Sequence, residues 1–194
     1  MGGCAEMCER MAEVYEPAED SFLLLRHVER LVRRSVLDVG TGSGIQAVAA
    51  AAKPDVERVV AIDIAPEAIE VARRRAAVAG VSERVEFRIG DLFTGLGDEL
   101  FDWVVFNPPY LPSEGEADEG SWAGGRAGSE TILRFLAEAS QYLKRCGGIL
   151  LVYSTLTGLD LEEIRKSYHV ELLEELPLFF ETLFCVLLRP LSPS

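Results

Sequence analysis

The chain has 194 residues, which predicts a single domain that buries roughly 70% of the surface exposed by its unfolded chain. Its 32 acidic and 19 basic side chains give a net charge of −13, and this charge would repel the phosphate backbone of duplex nucleic acid. Four cysteines, at positions 4, 8, 146 and 185, lack the spacing of a zinc site or a disulfide framework, so we predict a reduced, cytoplasmic protein without a bound metal.

The first predicted element is a helix that follows an irregular start. Residues 1–14 carry no periodic pattern and are expected to form an arm, which leaves residues 15–194 for one domain. Pro17 is a favourable first residue for a helix, because its missing N–H would be unpaired there anyway. Apolar residues then recur at helical spacing, at positions 22, 25, 28 and 32. A helix is therefore predicted from Pro17 onward.

Strand-like and helix-like segments alternate after this helix. Strands are predicted at 35–39, 58–63, 85–89, 102–106 and 148–153, and helices at 45–52, 66–79, 130–142 and 159–167. This alternation indicates a parallel, doubly wound α/β sheet. The last two apolar segments, 170–176 and 179–188, are separated only by Pro177 and Leu178, a connection too short for a parallel crossover. The prediction is a seven-stranded sheet whose last strand is antiparallel, and the segment 176–188 is too short to span a bilayer.

Glycines at positions 40, 42 and 44 follow the first predicted strand and lead into a helix, where backbone can approach a ligand closely. The fingerprint of dinucleotide-binding proteins places its third glycine one position later, at Ile45, so NAD and FAD are disfavoured. Asp38 precedes the first glycine and would attract a cationic ligand group but repel a pyrophosphate.

Two further acidic residues follow predicted strands. Asp63 ends the second strand, where a carboxylate can accept hydrogen bonds from both hydroxyls of a ribose. Alternatively, it stabilises the N-terminus of the helix that follows. Asp91, with the backbone amide of Leu92 beside it, follows the third strand and is a candidate partner for an adenine amino group, although Gly-Asp turns are also common in purely structural roles.

The segment Asn107-Pro108-Pro109-Tyr110 follows the fourth strand. The prolines end the strand, so the carbonyl oxygen of Pro108 is left as a free acceptor beside the Asn107 side chain. Two acceptors can hold both hydrogens of an NH2 group, and Tyr110 can pack on its plane. The motif predicts a site for a planar nitrogen. The glycine-rich loop 112–128, which contains Trp122, comes next and is expected to cover the substrate, or else to be a flexible surface loop.

Together, the glycine motif and residues 107–110 resemble class I S-adenosylmethionine-dependent methyltransferases that act on amino or amide nitrogens. Residues 14–22 and 122–126 narrow the resemblance to the HemK-type glutamine methyltransferases of the archaeal and eukaryotic branch, over nearly the whole chain from Val14. In that family the substrate is the glutamine of the Gly-Gly-Gln loop of a class I translation release factor. A small zinc-binding activator protein is the heterodimer partner.

The resemblance implies S-adenosylmethionine as the cofactor and a Rossmann-like methyltransferase fold. It implies cofactor contacts from the glycine motif of Gly40, Gly42 and Gly44 and from Ser21, Asp38, Asp63, Asp91, Leu92 and Asn107. The implied catalytic residues are Asn107, Pro108 and Tyr110, and residues 107–110, including Pro109, would hold the substrate. The chain departs from the family at Ser21, where threonine is frequent, and after Arg126, where a basic residue is frequent.

Three rival functions remain open from the sequence. The same four-residue motif serves enzymes that methylate exocyclic amines of nucleic acids, but the net charge of −13 weighs against them. A lysine of another protein is a possible target, although its cation must first lose a proton. A silent, cofactor-binding subunit would not need the intact motif at Asn107.

The third predicted strand, residues 85–89, lies at the sheet edge in the strand order of class I methyltransferases. Its unpaired backbone groups would accept a strand of the activator protein. Alternatively, Glu86 and Arg88 are charges that protect a bare edge from aggregation.

Overall fold

A computed structural model of the chain describes residues 16–108 and 126–191, with side chains from residue 129 onward in the second range. The predicted arm 1–14, Pro109, Tyr110, Trp122 and most of the loop 112–128 lie outside the described residues. The helices are α1 (Glu19–Leu31), α2 (Ile45–Ala52), α3 (Pro66–Val78), α4 (Arg126–Ala139) and α5 (Leu161–Arg165). The strands are β1 (Arg34–Val39), β2 (Val56–Asp63), β3 (Val85–Ile89), β4 (Phe101–Phe106), β5 (Leu143–Ser154), β6 (Tyr168–Pro177) and β7 (Thr182–Pro190).

The seven strands form one sheet in the order β3-β2-β1-β4-β5-β7-β6. Neighbours from β3 to β5 pair in parallel, whereas β7 pairs antiparallel with both β5 and β6. The predicted α/β class, the number of strands and the antiparallel last strand are therefore confirmed. The order also puts β3 at one end of the described sheet, as predicted.

Side chains alternate between two apolar layers along each central strand. In β1, Leu37 and Val39 face one layer, which α4 covers with Ile132 and Phe135. Val36 faces the other layer, which α1, α2 and α3 cover with residues that include Leu23, Ala47 and Ala76. The sheet is thus buried on both faces, as parallel sheets require.

Several predicted boundaries were wrong by a few residues. The first helix begins at Glu19, because Ala18 is still extended (φ −122°, ψ −163°), so Pro17 precedes the helix. The fourth helix begins at Arg126, within the predicted loop, since Gly128 weakens a helix by only about 1 kcal/mol and does not end it. The strand β5 begins at Leu143, because this residue pairs with Phe101 of β4, and regular pairing resumes after an irregularity at Gly148, opposite Trp103. The turn between β6 and β7 spans 178–181 and is closed by Leu178 N–H donating to Glu181 O at 2.7 Å.

No helix within the described residues is long and apolar enough to cross a bilayer.

Candidate functional site

A cavity of about 750 Å³ opens at the carboxyl ends of β1, β2 and β4. Most of the predicted site residues of the described chain line it, namely Ser21, Asp38, Gly40, Gly42, Asp63, Asp91, Leu92, Asn107 and Pro108. The charged side chains of its described wall are all acidic: Asp20, Asp38, Asp63, Glu67 and Asp91. A cavity of this size with a negatively charged wall suits a small ligand that carries positive charge.

The glycine loop reaches the cavity through two of its three glycines. Gly40 has a φ of +60°, and a side chain there would meet the Phe106 ring at 3.5 Å. Gly44 does not line the described cavity. A Cβ at Gly44 would lie 2.7 Å from the Cβ of Ala72, so this glycine permits α2 to pack directly on α3. Gly44 thus has a packing role, and the cofactor contact predicted for it stays a prediction.

Asp38 lies at the floor of the cavity and is only 2% exposed. Its Oδ2 accepts hydrogen bonds from Thr41 Oγ1 at 2.6 Å and from the Ala47 N–H of α2 at 3.1 Å. Burial raises the pKa of Asp38 from 3.8 to about 7; the two hydrogen bonds oppose this rise and the nearby charge of Asp63 adds to it. A ligand cation at this place would favour the ionised form.

Asp63 ends β2 with both carboxylate oxygens already engaged by backbone. Oδ2 accepts from the Gly42 N–H at 2.9 Å, and Oδ1 accepts from the Ala65 N–H at 2.9 Å. The second bond supports the helix-terminus interpretation, because Ala65 directly precedes α3. A carboxylate has about four lone-pair directions, so acceptor capacity remains for ribose hydroxyls.

Asp91 and Leu92 form the outer wall of the cavity, beyond β3. Asp91 is 45% exposed in its side chain and pairs with Arg134 Nη2 of α4 at 2.7 Å. Leu92 is buried and has a φ of +50°, which marks a sharp turn directly after Asp91.

Asn107 follows β4, whose end is fixed by stacking of Phe106 on Phe135 with ring centroids 4.3 Å apart. Its Nδ2 donates to Asp20 Oδ2 at 3.0 Å and lies 3.5 Å from Ser21 Oγ. The carboxylate of Asp20 requires a donor, so the NH2 group must face it. The Asn107 Oδ1 atom is left buried and has no partner among the described residues.

Gln46, in the first turn of α2, is a wall residue that our sequence reasoning missed. It is 4% exposed, and its Nε2 donates to the Ser21 carbonyl oxygen at 2.8 Å. Its Oε1 is buried without a partner among the described residues. A signal existed, because Gln46 is the one polar residue in the helix Ile45–Ala52 and directly follows the glycine loop. Asp20 was also overlooked, since an acidic residue in a first helical turn is usual.

No group of three His, Cys, Asp or Glu within residues 16–108 and 126–191 is arranged to hold a metal ion.

Comparisons with known proteins identify the family of this chain. The family model described as methyltransferase small domain matches residues 18–168. The chain belongs to this methyltransferase family. A protein of Methanocaldococcus jannaschii whose name places it among the N5-glutamine methyltransferases is 36% identical over 183 residues, which cover 90% of each chain. A release factor glutamine methyltransferase of Koribacter versatilis is 36% identical over 75% of this chain but only 55% of its own length. The chain thus spans about half the length of that bacterial methyltransferase.

A solved structure, the E. cuniculi Mtq2-Trm112 complex described as responsible for methylation of the eRF1 translation termination factor, shares the fold. Its TM-score is 0.65 at 25% identity, and the match covers 91% of this chain and 98% of the other. The class I methyltransferase fold and the HemK-type resemblance are confirmed by these likenesses.

Proposed function

We propose that this methyltransferase moves a methyl group from S-adenosylmethionine to the side-chain nitrogen of the glutamine in the Gly-Gly-Gln loop of a class I release factor. The observation that carries the proposal is the Asn107 amide. Its NH2 group is held by Asp20, and its buried Oδ1 has no partner among the described residues. An acceptor kept in this state fits an incoming NH2 group. The names of the relatives above support glutamine as the bearer of that group.

The charge and the hydrogen-bond acceptors of the described wall fit S-adenosylmethionine. The cofactor would supply a methyl group made electrophilic by a positively charged sulfur. Asp38 and the acidic wall favour that charge, and Asp63 accepts from the ribose hydroxyls. Asp91 accepts from the adenine amino group beside the Leu92 amide. Ser21 borders the same end of the cavity as Asn107.

The protein's part in the reaction is to position the nucleophile. An amide nitrogen is a weak nucleophile because its lone pair is delocalised into the carbonyl. Asn107 Oδ1 and the Pro108 carbonyl accept the two N–H bonds of the glutamine, so its nitrogen faces the cofactor and the charge that develops on it is stabilised. Tyr110 packs on the amide plane in this proposal. The transfer would break the bond between sulfur and the methyl group, leave neutral S-adenosylhomocysteine and release one proton of the nitrogen to water; we assign no general base.

The test is transfer of an isotope-labelled methyl group to an intact release factor, followed by mass spectrometry of the modified peptide. We expect the label on the glutamine of the Gly-Gly-Gln loop. A release factor in which that glutamine is replaced by alanine is the matched control and should remain unlabelled. A label on a lysine, or on RNA or DNA supplied in parallel, would show that one of the rival functions is correct.

We also propose that a small zinc-binding activator related to Trm112 adds a strand to β3, and that the enzyme acts in the cytoplasm. Supporting this, β3 ends the described sheet, and Ile89 on it is 61% exposed. Glu86 and Arg88 are tied into ion pairs with Arg58 and Glu99, and the Phe87 carbonyl oxygen accepts from Arg73 Nη2 at 3.2 Å, contacts that fit the protective alternative. If the chain alone methylates the release factor as fast as with the activator, the partner proposal is wrong.

A further inference from the structure

Two amide side chains of the cavity are oriented by the same turn of α1. Asn107 Nδ2 donates to Asp20 Oδ2 at 3.0 Å, and Gln46 Nε2 donates to the Ser21 carbonyl at 2.8 Å. Both amide oxygens are buried, and neither has a partner among the described residues. Asn107 Oδ1 has a role in the proposed function, whereas Gln46 Oε1 has none.

The hydrogen bond to the Ser21 carbonyl fixes which end of the Gln46 amide is the nitrogen. If its oxygen and nitrogen were exchanged, an oxygen would face the Ser21 carbonyl oxygen and repel it. The free Oε1 is therefore a consequence of the hydrogen bond to Ser21. A buried carbonyl oxygen without a donor destabilises the protein, so its presence calls for a ligand that supplies the donor.

Packing alone does not explain a glutamine at this position. The other residues of α2 are apolar, and the helix lies in the core against α1. A methionine has nearly the same shape and would bury no polar atom. The Ser21 carbonyl lies within a helix, where such oxygens accept backbone N–H groups four residues on, so it does not need Gln46.

We propose that Gln46 Oε1 accepts a hydrogen bond from the ammonium group of the cofactor's methionine moiety. This inference rests on the proposed function. Of the cofactor's donors, the ribose hydroxyls and the adenine amino group are assigned above to Asp63 and Asp91. The ammonium group remains. Gln46 and Asp38 line the same cavity, and the wall that they share is acidic, so the charge of an ammonium bound there is compensated.

The experiment is a binding cycle by calorimetry. The two ligands are S-adenosylhomocysteine and its analogue with hydrogen in place of the α-amino group. The two proteins are the wild type and Gln46→Met. We expect Gln46→Met to bind S-adenosylhomocysteine roughly tenfold more weakly, because a charge-assisted hydrogen bond is lost, and to bind the deaminated analogue as the wild type does. Val48→Ala, in the same helix but outside the cavity wall, is the control and should leave both affinities unchanged.

Two results of this binding cycle would overturn the inference. Unchanged affinity of Gln46→Met for S-adenosylhomocysteine overturns the inference, and so does an equal loss for both ligands, which would mean that Gln46 only shapes the wall. A higher KM for the release factor with unchanged cofactor binding would assign Gln46 to the substrate instead. If Gln46→Met does not fold, Gln46→Leu takes its place. In the wild type, binding of the deaminated analogue as tight as that of S-adenosylhomocysteine would by itself contradict the contact. If the wild type binds neither ligand, the proposed function itself fails.

Discussion

The carboxylate half and the amide half of the cavity are built in opposite ways. In the carboxylate half, Asp38 and Asp63 accept four hydrogen bonds from the loop and helices around them. In the amide half, Asn107 and Gln46 use their NH2 groups to fix their orientation and leave their oxygens buried and unpaired by the described residues. The hydrogen bonds of the first half are already made in the empty protein, whereas those of the second half are completed by ligands. Changes in the two halves should therefore separate stability from function.

Asn107→Ala should have the largest effect, a fall in methyl transfer of roughly 100-fold or more, because a preorganised acceptor of the reacting nitrogen is removed. The melting temperature should change little, since the loss of the bond to Asp20 is offset by removal of an unpaired buried oxygen. Turnover measured with a saturating release factor checks the first part, and calorimetry of the empty protein checks the second. Wild-type turnover in the folded variant would remove Asn107 from the mechanism.

Asp63→Ala should lower both the cofactor affinity and the stability of the empty protein. Cofactor affinity should fall by about 1 to 3 kcal/mol, because acceptors for the ribose are lost. The empty variant should also melt at a lower temperature, since the N–H groups of Gly42 and Ala65 lose their partner. Asp55→Ala, in an exposed turn, is the control for a removed charge. An unchanged affinity together with a lower melting temperature would leave Asp63 with the helix-terminus role alone.

The sequence predicted the site residues that follow strands better than those inside helices, and the reason is topological. Once alternating strands and helices predict a parallel sheet, the residues after strands, such as Asp63 and Asn107, must gather at one edge. Gln46 and Asp20 lie inside helices, and helical periodicity predicts a buried face without saying which neighbour it meets. The partnership of Asp20 with Asn107, 87 residues apart, depends on tertiary packing. The role of Tyr110 stays a prediction.

Asp38→Asn should remove a pH dependence. The folded-state pKa of about 7 lies above the ordinary 3.8, so the stability contributed by this carboxyl is complete below pH 4 and is lost as pH rises through 7. The empty variant should therefore exceed the wild type in melting temperature by a few degrees at pH 8, with no such gain near pH 4. A cationic cofactor needs the ionised form, so wild-type affinity should rise about tenfold from pH 6 to 8, whereas that of the variant should stay low and flat. Parallel pH curves for both proteins would contradict the assignment.

Arg134→Ala should have the smallest effect, and the direction of its effect on cofactor affinity distinguishes two roles of Arg134. The pair with Asp91 joins side chains that are 59% and 45% exposed, so solvent screens it and its removal should change the melting temperature little. If Asp91 accepts from the adenine amino group, release from Arg134 leaves the carboxylate more available, and cofactor affinity should stay the same or rise by less than about threefold, mostly at low salt. If Arg134 instead holds Asp91 in the geometry that the ligand needs, affinity should fall. Calorimetric titrations at two salt concentrations, with Asp91→Asn in parallel, separate these cases, because only the second makes both variants lose affinity together.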